Sequence, residues 1–182
     1  MNESSFWHLI EISKNLRKNF SDQIDFLTKS LAKLPEQEII DFEFRLREAL
    51  VFSSSYEIMA ASKIIIGYVS DDSFLYFRCR LIAEGKDFFY NANNNPDCIA
   101  ENDIQDLEYE GEDMLYISDN AFVLKFGEDT NKDLPRDAAN DYIDYNNWND
   151  IKGEDWDENE LPLKYPGLWE KYCLKSLLTD IN

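Results

Sequence analysis

The sequence predicts an all-α, mainly helical single domain with several helices packed orthogonally, followed by an irregular acidic C-terminal region. Two observations carry that expectation. Apolar residues return every three or four positions through the first 85 residues. Most of these segments are also bounded by a capping residue in front and a glycine or polar break behind.

Asn2 stands as an N-cap, and Phe6, Leu9, Ile10, Leu16 and Phe20 follow at helical spacing. Ser21 and Asp22 give a second start signal, after which Ile24, Leu27, Leu31 and Leu34 line one helix face. Pro35 suits the first turn of a third helix, where its missing N–H is not needed. Ile39, Phe42, Leu46, Ala49 and Leu50 form the buried stripe of that helix. Glu43 and Arg47, four apart, are placed to pair on its surface. Ser53-Ser54-Ser55 interrupts it. Residues 56–66 form a fourth apolar segment that stops at Gly67. Its Ile64-Ile65-Ile66 run also suits a strand, or a minor hairpin over residues 64–69, but the Met59-Ala60-Ala61 lead-in favours a buried helix.

Ser70-Asp71-Asp72-Ser73 is a helix start, a hydroxyl cap followed by two acids in the first turn. Phe74, Phe77, Leu81 and Ile82 then supply an apolar face, with Gly85 as the stop. A short helix over residues 87–92, a break at Asn93-Asn94-Asn95-Pro96, a turn over residues 96–100 and a helix over residues 114–126 ended by Gly127 complete the core. Near the end, Trp169, Tyr172, Leu174 and Leu177 place a terminal helix over residues 165–178 that docks on the core. The division expected is a helical core, residues 1–128, and an acidic, aromatic-containing extension, residues 129–182.

The charge is unevenly spread. Residues 101–160 hold 20 acids against four bases, Lys125, Lys132, Arg136 and Lys152, a net −16 out of the chain's −19. A hydrophobic content of 44% with 14% aromatics supports a core and excludes a wholly disordered acidic chain. The acidic balance argues against direct nucleic-acid binding, which relies on Lys and Arg neutralising phosphates. No apolar run approaches the roughly 20 residues that span a bilayer. The opening Met1-Asn2-Glu3-Ser4 has no basic segment of a secretory signal, so no membrane association is expected. Cys79, Cys98 and Cys173 show neither zinc nor disulfide spacing and read as reduced thiols of a cytoplasmic protein, with Cys79 buried and inert.

Material for catalysis is thin. His8, the one histidine, follows Trp7 on the first helix and suits a packing role. Asp71 and Asp72, with Arg78, are the candidate ligand site: paired acids can hold a metal or a cationic substrate. The same pair is equally what a helix N-terminus attracts. Calcium loops of the EF-hand type fail on spacing. Anchored on Gly111, the frame puts Asp106, Glu108 and Glu110 correctly but Ile117 where a Glu must stand; anchored on Gly153, Trp148 falls at the first position. No glycine-rich phosphate loop or nucleophile elbow exists, and no cofactor or metal is expected.

Residues 141–160 hold the most functional promise. Tyr142, Tyr145, Trp148 and Trp156 are interleaved with acids, and a purely solvated tail has no use for tryptophans. Asp144, Trp148, Asp150, Asp155, Trp156, Asp157 and Glu158 are therefore the candidate partner-binding residues. The alternative is an acidic loop pinned to its own domain by those aromatics.

Three stretches resemble a bacterial family. Phe6-Trp7-His8-Leu9-Ile10-Glu11 resembles its opening FWxLI helix. The run from Gly67 through Ser70-Asp71-Asp72-Ser73-Phe74-Leu75-Tyr76-Phe77-Arg78 to Leu81-Ile82 and Gly85 resembles its central block, and Asn95-Pro96-Asp97 with Ala100 the motif that follows. The chain is identified as similar to the domain-of-unknown-function family numbered 4240 over about residues 4–127. The resemblance implies a mainly helical bacterial domain with no established activity. Arg80 stands where that family usually has Trp.

The function expected from these readings is a non-catalytic, acidic protein-binding protein. Its concrete form is an immunity or antitoxin-like protein that neutralises a basic toxin, such as a nuclease, by covering its cationic site. The alternatives are a regulatory module of a bacterial system, or a ligand-binding domain or enzyme centred on Asp71 and Asp72. A basic protein is the expected partner.

Overall fold

Local signals in the sequence become helix ends. In α1 (Glu3–Leu16) the Asn2 side chain accepts from the Ser5 N–H at 2.8 Å. In α2 (Phe20–Leu31) the cap is Asn19, two residues before the expected start signal, accepting from the Asp22 N–H at 2.8 Å. Pro35 precedes α3 (Glu36–Phe52) and Ser55 caps α4 (Tyr56–Ile66). Gly67 ends α4 in the left-handed region at φ +88°, where a side chain would be strained. No hairpin forms over residues 64–69, because the isoleucines complete the last turn of α4. Before α5 (Asp71–Ala83), Ser70 and Ser73 cap each other: the Ser70 N–H donates to Ser73 Oγ at 2.7 Å and the Ser73 N–H to Ser70 Oγ at 3.2 Å.

The computed structural model describes residues 1–102, 111–128 and 131–174. Beyond α5, Gly85 turns the chain directly into α6 (Lys86–Asn94), which is longer than the expected short helix. A 3₁₀ turn (Pro96–Glu101) follows. A second 3₁₀ turn (Glu112–Tyr116) leads into α7 (Ile117–Phe126). Three short helices then lie in the extension: α8 (Pro135–Asn140), α9 (Leu161–Lys164) and α10 (Pro166–Leu168). The expected terminal helix is α10 continued by a π-helical stretch (Trp169–Leu174), and its residues 175–178 lie outside the described residues. Among the described residues no strand occurs, only one isolated bridge between Ser55 and Lys152. The fold is all-α.

One hydrophobic cluster runs from Phe6, Ile10, Leu27 and Phe42 through Phe74, Phe77, Phe89 and Phe122 to Leu161, Tyr165 and Leu168. The last three belong to the extension, so the segment after residue 129 completes the same core. Each such side chain removed from water contributes about 1.5–3 kcal/mol. Helix α5 lies deepest: from Phe74 to Ala83 every side chain except Tyr76 is buried. Cys79 is among them, and burial pushes its thiol up to about 12, which leaves it protonated and inert.

Three fasteners hold the extension. Helix α8 packs on α3. The Tyr56 N–H donates to the Lys152 carbonyl at 2.9 Å and the Lys152 N–H to the Ser54 carbonyl at 3.0 Å. The Asp97 carboxylate accepts from the Gly167 and Leu168 N–H groups at 3.0 and 2.8 Å, seating α10 against the first 3₁₀ turn.

Gly111 brings two backbones together, since a Cβ built on it would lie 2.0 Å from the Tyr76 carbonyl oxygen. Neither partner is a side chain that can swing away. Gly111→Ala is therefore expected to destabilise the fold by about 1–3 kcal/mol, read as a lower urea midpoint with an unchanged slope.

Candidate functional site

Asp71 and Asp72 are exposed in the first turn of α5, where their charge complements the helix N-terminus. Arg78 does not join them. It sits seven positions on, about 10 Å along the axis, and its side chain is buried. Its Nη1 donates to the Leu50 carbonyl at 2.9 Å and to the Tyr145 carbonyl at 3.3 Å, and the guanidinium lies 4.4 Å from the Phe74 ring centre. Burial lowers its pKa to about 10, which still leaves it charged at neutral pH. The three residues thus form two separate features: a capped helix start, and a cation that ties α3 to the extension.

The acidic extension keeps its carboxylates outside. Asp144, Asp150, Asp155, Asp157 and Glu158 are all exposed. Several shape the turns that carry them. Asp144 accepts from the Asn146 N–H, Asp155 from the Trp156 N–H and Asp157 from the Asn159 N–H, each at 2.8 Å. Asp150 accepts from the Asn147 amide at 2.7 Å, and Glu158 lies 3.1 Å from Lys63 in a solvent-facing pair of little energetic weight. The aromatics divide: Tyr142 is exposed, and Tyr145 and Trp156 are half-buried. The Trp156 indole N–H donates to the Tyr56 carbonyl at 3.0 Å. Trp148 rests against Phe74, ring centres 6.1 Å apart, and keeps 41% of its surface exposed.

Beneath this surface is a polar centre that spacing alone places wrongly. Glu43 and Arg47 do pair, Arg47 Nε donating to Glu43 Oε1 at 2.8 Å, but in the interior and not on the surface. Ser118 on α7 donates to Glu43 Oε2 at 2.6 Å. Arg47 Nη1 donates to the Ile143 carbonyl, and Nη2 to the Arg136 carbonyl and the Asn140 side chain, each at 2.9 Å. The Tyr145 ring lies 5.0 Å from the guanidinium. A signal existed, because Ile39, Glu43, Leu46 and Leu50 are themselves a row with steps of four, three and four. Nearby, Asp119 Oδ1 accepts from the Arg136 N–H at 3.0 Å, and burial pushes its carboxyl above the ordinary range.

His8 is exposed on α1. Among the described residues no group of three or more His, Cys, Asp or Glu side chains is placed to hold a metal ion, and no helix is long and apolar enough to cross a membrane. The calcium-loop frame on Asp106, Glu108 and Glu110 lies outside the described residues.

A family model described as a protein of unknown function, DUF4240, matches residues 1–123 of the 182. The chain belongs to the DUF4240 family. Comparison with curated proteins and with solved structures finds no match. In this DUF4240 protein the matched segment ends inside α7. It contains Glu43, Arg47 and Ser118 but not the carbonyls at 136 and 143 that complete their hydrogen bonds. Arg80, at the position where Trp was expected from the resemblance, is buried with its guanidinium 4.1 Å from the Phe20 ring centre and 3.8 Å from Glu84.

Removing Arg47 strands Glu43 as a buried, uncompensated charge. Arg47→Ala is expected to cost about 3–5 kcal/mol, with faster amide exchange across residues 135–145 as the second readout. Asp119 gives a pH signature. Its ionised form is the disfavoured one in the fold, so the native state holds this proton to higher pH than the unfolded chain. Stability falls as pH rises from the ordinary value of 3.8 through the raised one. Asp119→Asn keeps the acceptor and removes the charge, so its melting temperature should gain on the wild type as pH rises above the ordinary aspartate range of about 4.

Proposed function

We propose that this DUF4240 protein is a non-catalytic binder that presents its acidic extension to a basic protein. Its concrete form is an immunity or antitoxin-like protein that covers the cationic site of a toxin such as a nuclease. One observation carries the reading. The carboxylates of Asp144, Asp150, Asp155, Asp157 and Glu158 face solvent, while the backbone bearing them is fastened to the core through Arg47, Arg78, Lys152 and Trp156.

A disordered acidic tail attracts cations but loses ordering entropy on binding. A fastened one starts ordered, which lowers that cost. Clustered charge of one sign also speeds encounter with an opposite surface and makes it sensitive to salt. The carboxylates would occupy the cationic groove in place of phosphates, with the exposed face of Trp148 as the apolar contact. The proposal includes a cytoplasmic setting. A site on Asp71, Asp72 and Arg78 has less support, since the carboxylates and the guanidinium stand apart.

Affinity capture from the native host at low and at moderate salt tests this. The expected result is a basic protein retained at low salt, weakened at moderate salt, and lost when Asp155→Lys and Asp157→Lys are combined. Absence of any basic partner at both salts, or capture unaffected by the double reversal, would overturn the proposal.

A further inference from the structure

The asparagine run that breaks the chain after α6 also lines a cleft. Its volume is about 420 Å³, and it lies where α6 meets the first 3₁₀ turn. On α6, Phe88, Asn91 and Asn95 stand at steps of three and four, with Asn94 beside Asn95, so one helix face is rich in amides. The 3₁₀ turn adds Cys98 and Glu101, three apart and so on one side of such a helix, and Asn102 follows at its end.

Most of the hydrogen-bonding capacity here is unspent. Asn93, outside the cleft, turns back on its own helix and donates to the Phe89 carbonyl at 2.8 Å. Asn102 donates to the Cys98 carbonyl at 3.0 Å, which leaves its side-chain oxygen as an acceptor. The carboxamides of Asn91, Asn94 and Asn95 and the carboxylate of Glu101 have no partner among the described residues. Each carboxamide offers two donors and an acceptor. Burial and the Glu101 charge push the Cys98 thiol up, so it is a neutral wall.

The volume falls within the roughly 300–1,000 Å³ of small-molecule sites. The lining then narrows the chemistry. No Lys, Arg or His belongs to it, so an anion meets Glu101 and no counter-charge. The Lys171 ammonium is held by the Ala100 and Asn102 carbonyls, at 3.1 and 2.5 Å. A cation would use one carboxylate and leave the amide donors unpaired. An apolar ligand would desolvate every one of these groups without replacing their hydrogen bonds. A sugar matches them. Its hydroxyls each donate and accept, neighbouring hydroxyls are spaced for one carboxamide or carboxylate, and its C–H face can lie on the half-buried Phe88 ring.

We infer that this cleft binds a neutral saccharide, its hydroxyls on Asn91, Asn94, Asn95 and Glu101 and a C–H face on Phe88. No residue of the acidic extension lines the cleft, so either proposal can fail alone.

Titration of the intact, ¹⁵N-labelled protein with D-glucose, D-galactose, D-mannose and maltose, followed by amide NMR, tests the inference. At least one of the four is expected to give saturable shifts at the side-chain amides of Asn91, Asn94 and Asn95. Cyclohexanol, a six-membered ring with a single hydroxyl, is expected to give none. Asn91 and Asn94 are exposed, so the combined Asn91→Ala and Asn94→Ala variant should keep the fold, checked by its melting curve, and bind the sugar about tenfold more weakly. Absence of saturable shifts at these amides with all four sugars, equal binding of cyclohexanol, or unchanged sugar affinity in the folded double variant would overturn it.

Discussion

Glu43 and Arg47 are 1% and 2% exposed, and withdrawing two charges from water to that degree costs several kcal/mol per ion before partners are counted. Their mutual attraction does not cancel the cost unless the remaining donors and acceptors are also met. Here they are. Ser118 meets the second Glu43 oxygen, and backbone carbonyls at 143 and 136 with the Asn140 side chain meet Arg47. Those groups come from α7 and from the extension. Helix α3 therefore depends on segments 75 to 96 residues further along the chain, and the extension cannot lift away without leaving a buried guanidinium unsatisfied.

Arg78 repeats the arrangement with the Leu50 and Tyr145 carbonyls. Lys152 does so from the opposite side, its ammonium reaching the Val51 carbonyl at 3.1 Å. The consequence is a segregation of sign. Arg47 and Arg78 point inward and are met by backbone carbonyls, while the carboxylates of Asp144, Asp150, Asp155, Asp157 and Glu158 are exposed. The extension is thus held down largely without using its carboxylates, which stay available at the surface.

Much of the helical frame was legible because its determinants are local. Asn2, Ser70 and Gly67 act within one turn of themselves, and the α3 stripe needs only a period of 3.6. The start of α2 lies two residues ahead of the Ser21 signal because Asn19 and Ser21 are both competent caps, and Asn19 is the one that reaches the Asp22 N–H. At the candidate site legibility was partial. Asp71 and Asp72 as complements of a helix start follow from sequence, as does the outward density of acids. That Trp156 turns inward does not, because its partner is the Tyr56 carbonyl, 100 residues away.

By itself the sequence determined the helix class, most helix ends, the family and the location of the surplus charge, since each rests on neighbours in the chain or on a count. Only the tertiary structure decided that Glu43 and Arg47 lie inside, that Arg78 leaves Asp71 and Asp72, and which aromatics of the extension stay exposed. The physical reason is desolvation. Whether a charged or aromatic side chain meets water or protein depends on what packs over it, and here that cover arrives from distant segments.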